Sequence, residues 1–393
     1  MDVPLSLWYL DDGSILAPRD LVHDLLPRLI EQFQTLGLVL NTNKSVIWGP
    51  GNSTEYRASL PQNDCWLQIA PREWQPEDGV DVLGVPITFG NHQTHLQNTF
   101  NKHIQNLQAV LDAIARIPDH QISHHLLRSC ADACKLVYLL KNAPITTTEK
   151  LACEADQRIY AALEAIVGTG LPSHTRAQCT LPFRLGGCAL KSCAVVRAPL
   201  RLATILHFLQ QRHIIQSQHT HCPPDRDTVL SVLQQQLPAN LEPLCSWTTN
   251  PAQMEGADAT YIKSHWWTDN IYKHIQSNLA HTALGRDIPR LESQKTGHGT
   301  GWMAARPSNA NRTSIMPHLY RLGLKWWLGL PIIPPNTTCH ACNYPLDPHG
   351  DHLLCCTHSN FTHRHNAVQN TLIDALKSAS IANQREAPLS RHN

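Results

Sequence analysis

The stretch "LWYLDDGSIL" (Leu7–Leu16) places Asp11, Asp12 and Gly13 between two apolar runs. Asp-Gly between apolar runs is a strong short-range hairpin signal, so residues 6–17 are expected to form a β-hairpin with the acids at its tip. Asp and Gly are favoured in turns for backbone reasons alone. The same carboxylates could instead bind a hard divalent cation, as in phosphoryl transfer by two metals roughly 3.5–4 Å apart. The residues downstream of the hairpin decide between an acidic turn and half of a catalytic centre.

Working outward, Val22, Leu25, Leu26, Leu29, Ile30, Phe33 and Leu36 recur at helical spacing, with Asp20 as the expected N-cap, Gly37 as the stop, and a kink or later start expected from Pro27. A strand at Leu38–Leu40, a turn at Asn41–Asn43, a strand at Ser45–Trp48 and one strand in "VDVLGVPI" (Val80–Ile87) are expected next. Beyond Gly90 the pattern turns helical: Thr94–Ala115, His120–Lys141, Thr147–Val167, Cys193–Gln211, Asp227–Gln236 and Tyr261–Leu284. "TLPFRLGG" (Thr180–Gly187) is rigid punctuation, and stretches near 218–226 and 237–255 read as loops. Residues 285–315, rich in Gly, Ser and Asn, read as a linker. The fold class is α+β, with strands confined to the first ninety residues.

The chain has 393 residues, enough for two or three domains, and a net charge of +1, so nucleic-acid binding has to rest on local patches. Charged residues make up 16%, against roughly 25% in an ordinary soluble domain. Thirteen irregularly spaced Cys do not resemble a secreted disulfide framework and point to a reducing, intracellular compartment. No run is long and apolar enough for a membrane span, and the N-terminal stretch lacks the pattern of a signal peptide.

"YLDDG", the helix, "LGLVLNTNKS" (Leu36–Ser45) and "VLGVPI" (Val82–Ile87) together resemble the palm of a non-LTR retrotransposon reverse transcriptase. The Tyr-x-Asp-Asp hairpin of that family matches Tyr9, Asp11 and Asp12, and its next palm motif matches Gly37 and Lys44. The resemblance implies Mg²⁺ at Asp11 and Asp12, a role for Lys44 near the nucleotide, an RNA template, a DNA primer or target, and action in the nucleus. It continues through "LPFRLGGCALKSCAVVRAPLRLA" (Leu181–Ala203), "GTGWMAARPS" (Gly299–Ser308) and "RLGLKWWLGLPI" (Arg321–Ile332), and so covers most of the chain. It implies a palm remnant over 1–90, a helical thumb over 91–215, a helical connection and linker over 216–315, and a zinc knuckle with the start of an endonuclease-like region over 316–393. A palm needs a further carboxylate on a strand that in the family precedes the hairpin, and only Met1–Trp8 precede it here. The expectation is therefore a C-terminal part of such an enzyme, inactive alone. A non-catalytic, zinc-dependent RNA- or DNA-binding protein is the alternative, with the acidic hairpin only a turn.

"CHACNYPLDPHGDHLLCC" (Cys339–Cys356) is a second chemical signal. Cys339-x-x-Cys342 has knuckle spacing, which lets two thiolates reach one tetrahedral Zn²⁺. His352 and Cys356 are the expected second pair, and also match the ligand positions of zinc knuckles preceding retroelement endonucleases. His349 and Cys355 are rivals for those places. From Ser293 to Leu346 there is no acid, while Arg306, Arg312, Arg321 and Lys325 share that window with Trp302, Trp326 and Trp327. Cations neutralise phosphates and aromatic rings stack on bases, so these residues, with Arg364, are candidate nucleic-acid contacts. The other reading buries the tryptophans in a core and leaves the cations as a solvated face, and Arg364–Asn366 as part of a helix.

Overall fold

The structure is a computed structural model that describes residues 5–9, 12–41, 44–45, 79–88, 93–211, 225–237, 263–295, 298–358, 361–378 and 380–381. The fold is α+β and mostly helical, and the chain divides into two compact units, Met1–Pro317 and His318–Asn393. No helix among the described residues is long and apolar enough to cross a membrane.

The first unit opens with the antiparallel hairpin β1 (Leu5–Tyr9) and β2 (Asp12–Leu16), followed by α1 (Arg19–Thr35). The register pairs Tyr9 with Asp12 and Trp8 with Gly13, so Gly13 stands in the strand instead of the turn. Helix α1 starts after Pro18, not at Asp20, and runs on through Pro27. It ends in a Schellman cap. Gly37 takes φ 73°, and the Leu38 and Gly37 amides donate to the Phe33 and Gln34 carbonyls at 2.8 and 3.0 Å. That cap uses the Leu38 amide, and Leu38–Leu40 form no strand. Residues 42, 43 and 46–48, where a turn and a strand were expected, lie outside the described residues.

The expected single strand at Val80–Ile87 is instead a second hairpin, β3 (Gly79–Val82) and β4 (Val85–Thr88). Leu83 and Gly84 both take positive φ, 49° and 76°, as a two-residue hairpin turn requires. The hairpin docks on α2 (Thr94–Ala115), where His95 Nε2 lies 2.9 Å from an Asp81 carboxylate oxygen.

Helix α2 buries Leu96, Phe100, Ile104, Leu107, Leu111 and Ile114 along one stripe and packs against α3 (His120–Cys130) and α5 (Ile145–Val167). The expected helix His120–Lys141 is broken, into α3 and α4 (Val137–Asn142). Asp132 lies at the break. Its buried carboxylate accepts from the Cys134 amide at 2.9 Å and the Lys191 amide at 3.2 Å, which offers the backbone an alternative to helix. After α6 (Ser173–Thr180) and a 3₁₀ turn at Phe183–Leu185, the central helix α7 (Cys193–Gln211) packs on α4, α5, α8 (Arg226–Gln236) and α9 (Ser264–Thr282). Asp156 of α5 anchors its start by accepting from Ser192 Oγ at 2.6 Å and the Cys193 and Ala194 amides. Ala198, Leu202, Ile205, Val229, Leu233, Trp267 and Ile271 form a core around it.

An ion pair closes this core. Arg201 donates two bonds to Asp225, at 2.8 and 2.9 Å, and further bonds to the Lys141 and Asn142 carbonyls, while Asp225 also accepts from the Ile145 amide. The expected linker over 285–315 is in part ordered helix: α10 (Asp287–Gln294) and α11 (Gly301–Ala304). Polar bonds help to hold it, beside the buried Met303 of α11. Buried Gln178 donates to Gln294 Oε1 at 2.9 Å and to the Gly186 carbonyl at 3.1 Å, and accepts from Arg290 at 3.0 Å.

Candidate metal centre

Helix α12 (Pro317–Trp327) lies, after its first residue, in the second unit; its Tyr320, Leu324 and Trp327 are buried at helical spacing while Trp326 faces out. Gly329, at φ 69°, ends it, with the Leu330 and Gly329 amides bonded to the Lys325 and Trp326 carbonyls. Beyond it, the Ile332 and Ile333 amides donate to the Pro348 carbonyl. The Thr338–Pro345 bridge closes the base of a small turn.

Within that turn the Cys339 amide donates to the Tyr344 carbonyl, and the Asn343 amide returns to the Cys339 carbonyl, both at 2.8 Å. Asn343 takes φ 57°, a left-handed conformation that Asn tolerates better than most side chains. This knuckle brings the Cys339 and Cys342 thiols to one side. The other two ligands come from the single turn α13 (Asp351–Cys355) and the residue after it. Gly350, at φ 76°, precedes that turn, and the Cys356 amide donates to the His352 carbonyl at 2.8 Å. Spacing of four places His352 and Cys356 on one face. The Asp347 carboxylate holds the turn by accepting from the His349, Asp351 and His352 amides at 2.9, 3.1 and 2.8 Å. Burial works against its charge, but these amides hold its carboxyl below the usual carboxylate range.

The four ligand atoms all lie within 4.8 Å of one another. Cys339 Sγ is 3.8 Å from Cys356 Sγ, and Cys342 Sγ is 3.2 Å from His352 Nε2. Zinc–sulfur bonds of about 2.3 Å in a tetrahedron set two sulfurs about 3.8 Å apart, so the donors are spaced for one ion. Three thiols and an imidazole form a soft donor set suited to zinc and unsuited to magnesium. The Ala341 amide beside Cys339 lowers its thiol to about 6, with help from the Cys342 amide and His352 and against its burial. The Tyr344 ring stacks on His352, with centroids 5.2 Å apart and planes 18° apart.

Cys339 and Cys356 are buried, and Cys342 and His352 half-buried. The rivals lie outside this group: Cys355 is exposed, and His349 Nδ1 is buried with no hydrogen-bond partner. Asp347 and Tyr344 were not anticipated from sequence, although the "LDPHGD" around Asp347 carries a turn signal.

Among its described residues the acidic hairpin gives no comparable cluster. Asp12 is exposed on β2, and Asp11 lies outside the described residues. The Cys339 group is the only set of three or more potential ligands brought together among the described residues. Lys44 is exposed in a turn after α1, with its amide bonded to the Asn41 carbonyl and side chain. The basic window is split: Arg306 and Arg312 are exposed in the first unit, while Arg321 and Lys325 are half-buried on α12 in the second. Arg364 falls within α14 (Phe361–Ser378).

No family model matches the chain, and no solved structure matches it. Over 188 residues, 48% of the chain, it is 22% identical to the Retrotransposable element SLACS 132 kDa protein of Trypanosoma brucei gambiense. The chain spans 14% of that relative's length.

Proposed function

We propose that the chain acts in a retrotransposon reverse transcriptase, as a helical unit that flanks the polymerase palm and a zinc-dependent unit that holds nucleic acid. The Cys339–Cys342–His352–Cys356 group carries the reading, because its donors are already gathered at zinc spacing. Similarity to a retrotransposable element protein supports the biological setting. Bound there, zinc would supply folding free energy and no reaction step. Asp11 and Asp12 would give Mg²⁺ some of its ligands, with Tyr9 and Lys44 nearby. Two ions need more oxygens than two carboxylates supply, and a further carboxylate, waters and substrate phosphates would give the remainder.

The partners on this reading are an RNA template and a DNA primer or target, and the place of action is the nucleus. Arg306, Arg312, Arg321, Lys325 and Arg364 would contact phosphates. Two measurements test the proposal. The chain should bind one zinc, lost in Cys339→Ser/Cys342→Ser together with the second unit's share of the nucleic-acid affinity; a zinc-free wild type would refute the metal reading. With Mg²⁺ and a primed RNA template, the isolated chain should not extend the primer; extension would show that its palm is complete.

A second reading is a zinc-dependent RNA- or DNA-binding protein with no catalysis. It is favoured by the contrast between the assembled thiol group and Asp12, which shares no ligand cluster among the described residues. Adding the chain to a partner that supplies the other palm carboxylates separates the two: restored extension, lost in Asp12→Asn, supports the polymerase reading.

A further inference from the structure

The stretch after α11 combines loop geometry with firm anchoring. Gln121 of α3 is buried, and its side-chain amide holds the loop twice: Nε2 donates to the Thr313 carbonyl and Oε1 accepts from the Ile315 amide, both at 2.9 Å. Thr313 Oγ1 donates to the Arg306 carbonyl at 2.5 Å, and the Thr313 amide to the Ser308 carbonyl at 2.9 Å. Arg312 stands at φ 54°, unusual for a side chain of its size. Backbone held in a sparsely populated region persists only where its surroundings determine it.

The loop is thus fixed on α3, and its charge is one-sided. Arg306 and Arg312 are exposed, and neither makes an ion pair among the described residues. On the facing helix, Arg128 donates to the Ala304 carbonyl at 3.1 Å and to His125 Nδ1 at 2.8 Å, and lies over the Phe183 ring. An imidazole that accepts at Nδ1 carries its proton at Nε2, where it donates. Burial first, then the charges of Arg128 and Arg306, lower the His125 pKa, so both guanidiniums are electrostatically close to that ring. Helix α3 itself carries no acid; Asp119 at its N-cap is engaged by the Gln121 and Ile122 amides, and Asp132, four residues beyond Arg128, is buried with its carboxylate engaged by the Cys134 and Lys191 amides.

We propose that Arg306, Arg312, Arg128 and His125 form a clamp for the phosphate backbone of single-stranded nucleic acid, built in the first unit and held in shape by Gln121. This deepens the nucleic-acid reading above and rests on it, but uses no residue of the metal centre. Three guanidiniums, two of them on an anchored loop, with a neighbouring N–H donor suit successive phosphates, and sequence would be read little, because no base-stacking ring belongs to the set.

The test is anisotropy of a short labelled single-stranded RNA with the full chain, titrated at salt between about 50 and 200 mM. Each phosphate contact adds about 0.7 to the slope of log affinity against log salt, so Arg306→Gln/Arg312→Gln should lower it by about 1.4. Gln121→Met, which removes both loop anchors, should lower the slope with Arg306 and Arg312 still present. An unchanged slope in the double variant, whose exposed positions should leave folding intact by circular dichroism, overturns the clamp. So does equal displacement of the RNA by polyglutamate at matched charge, which would mark a generic polyanion surface. Zinc is measured in the same samples. A chain without zinc that still loses slope in the double variant refutes the metal reading and leaves the clamp standing.

Discussion

Replacing Cys356 by Ser should weaken zinc binding far more than replacing its neighbour Cys355. Cys356 Sγ is buried and 3.8 Å from Cys339 Sγ, whereas the Cys355 thiol is exposed and outside the ligand group. Structural four-ligand sites have apparent binding free energies of about 10–16 kcal/mol near neutral pH. Shared over four ligands this is about 2.5–4 kcal/mol each, or roughly 60- to 700-fold in affinity. Cys355→Ser removes no ligand and should stay within about 0.5 kcal/mol of wild type in stability. Competition against a chromophoric chelator gives both affinity and stoichiometry. Equal losses in the two variants, or a loss in Cys355→Ser alone, would refute the ligand assignment. A loss in His349→Ala as large as that in Cys356→Ser would do the same for the other rival.

The same geometry sets three further outcomes. Asp347→Ala removes the acceptor for three amides around the metal turn, and zinc affinity should fall about 10- to 100-fold, as for other groups that orient ligands. Asp225→Asn should cost about 3 kcal/mol at neutral pH, the low end for breaking a buried pair, because Arg201 keeps two backbone carbonyls. The Asp225 carboxyl is buried, yet Arg201 and the Ile145 amide pull its pKa below the unfolded value; its stabilisation is therefore full above about pH 4 and lost as pH falls through the folded value. Urea titrations should show the wild type and Asp225→Asn converging in acid; a constant gap would refute the charge argument. Gly187→Ala should destabilise by about 1–3 kcal/mol, because an added Cβ meets the Leu181 carbonyl, and an unchanged melting temperature would contradict that contact.

Long apolar periodicity was legible. Thr94–Ala115 and Cys193–Gln211 form helices with the expected bounds, because each carries many buried positions at helical spacing. Failures occurred where one polar side chain or one glycine outweighs periodicity. Asp132 breaks the helix expected across 120–141 by bonding two backbone amides. Gly84 lets "VDVLGVPI" fold back on itself, and the Gly37 cap draws Leu38 away from a ladder. At the metal site the ligand spacing could be read from sequence. The Asp347 cradle could not, because it depends on three backbone amides converging on one carboxylate.

The stretch over 285–315 shows why composition misled and why that matters for function. Gly, Ser and Asn predict a linker when apolar burial is the main source of order. Here side-chain amides contribute order that composition does not reveal: Gln178 and Gln294 bond α10, and Gln121 anchors the loop after α11. Such bonds order the loop without drawing on Arg306 and Arg312, which stay exposed. A true linker would let those cations spread, and ordering them on a phosphate would cost about 1–2 kcal/mol per residue in backbone entropy. Fixing them in advance removes that cost from binding. On the clamp proposed above, the polar anchoring that hid the element in the sequence is also what would suit it to hold a charged strand.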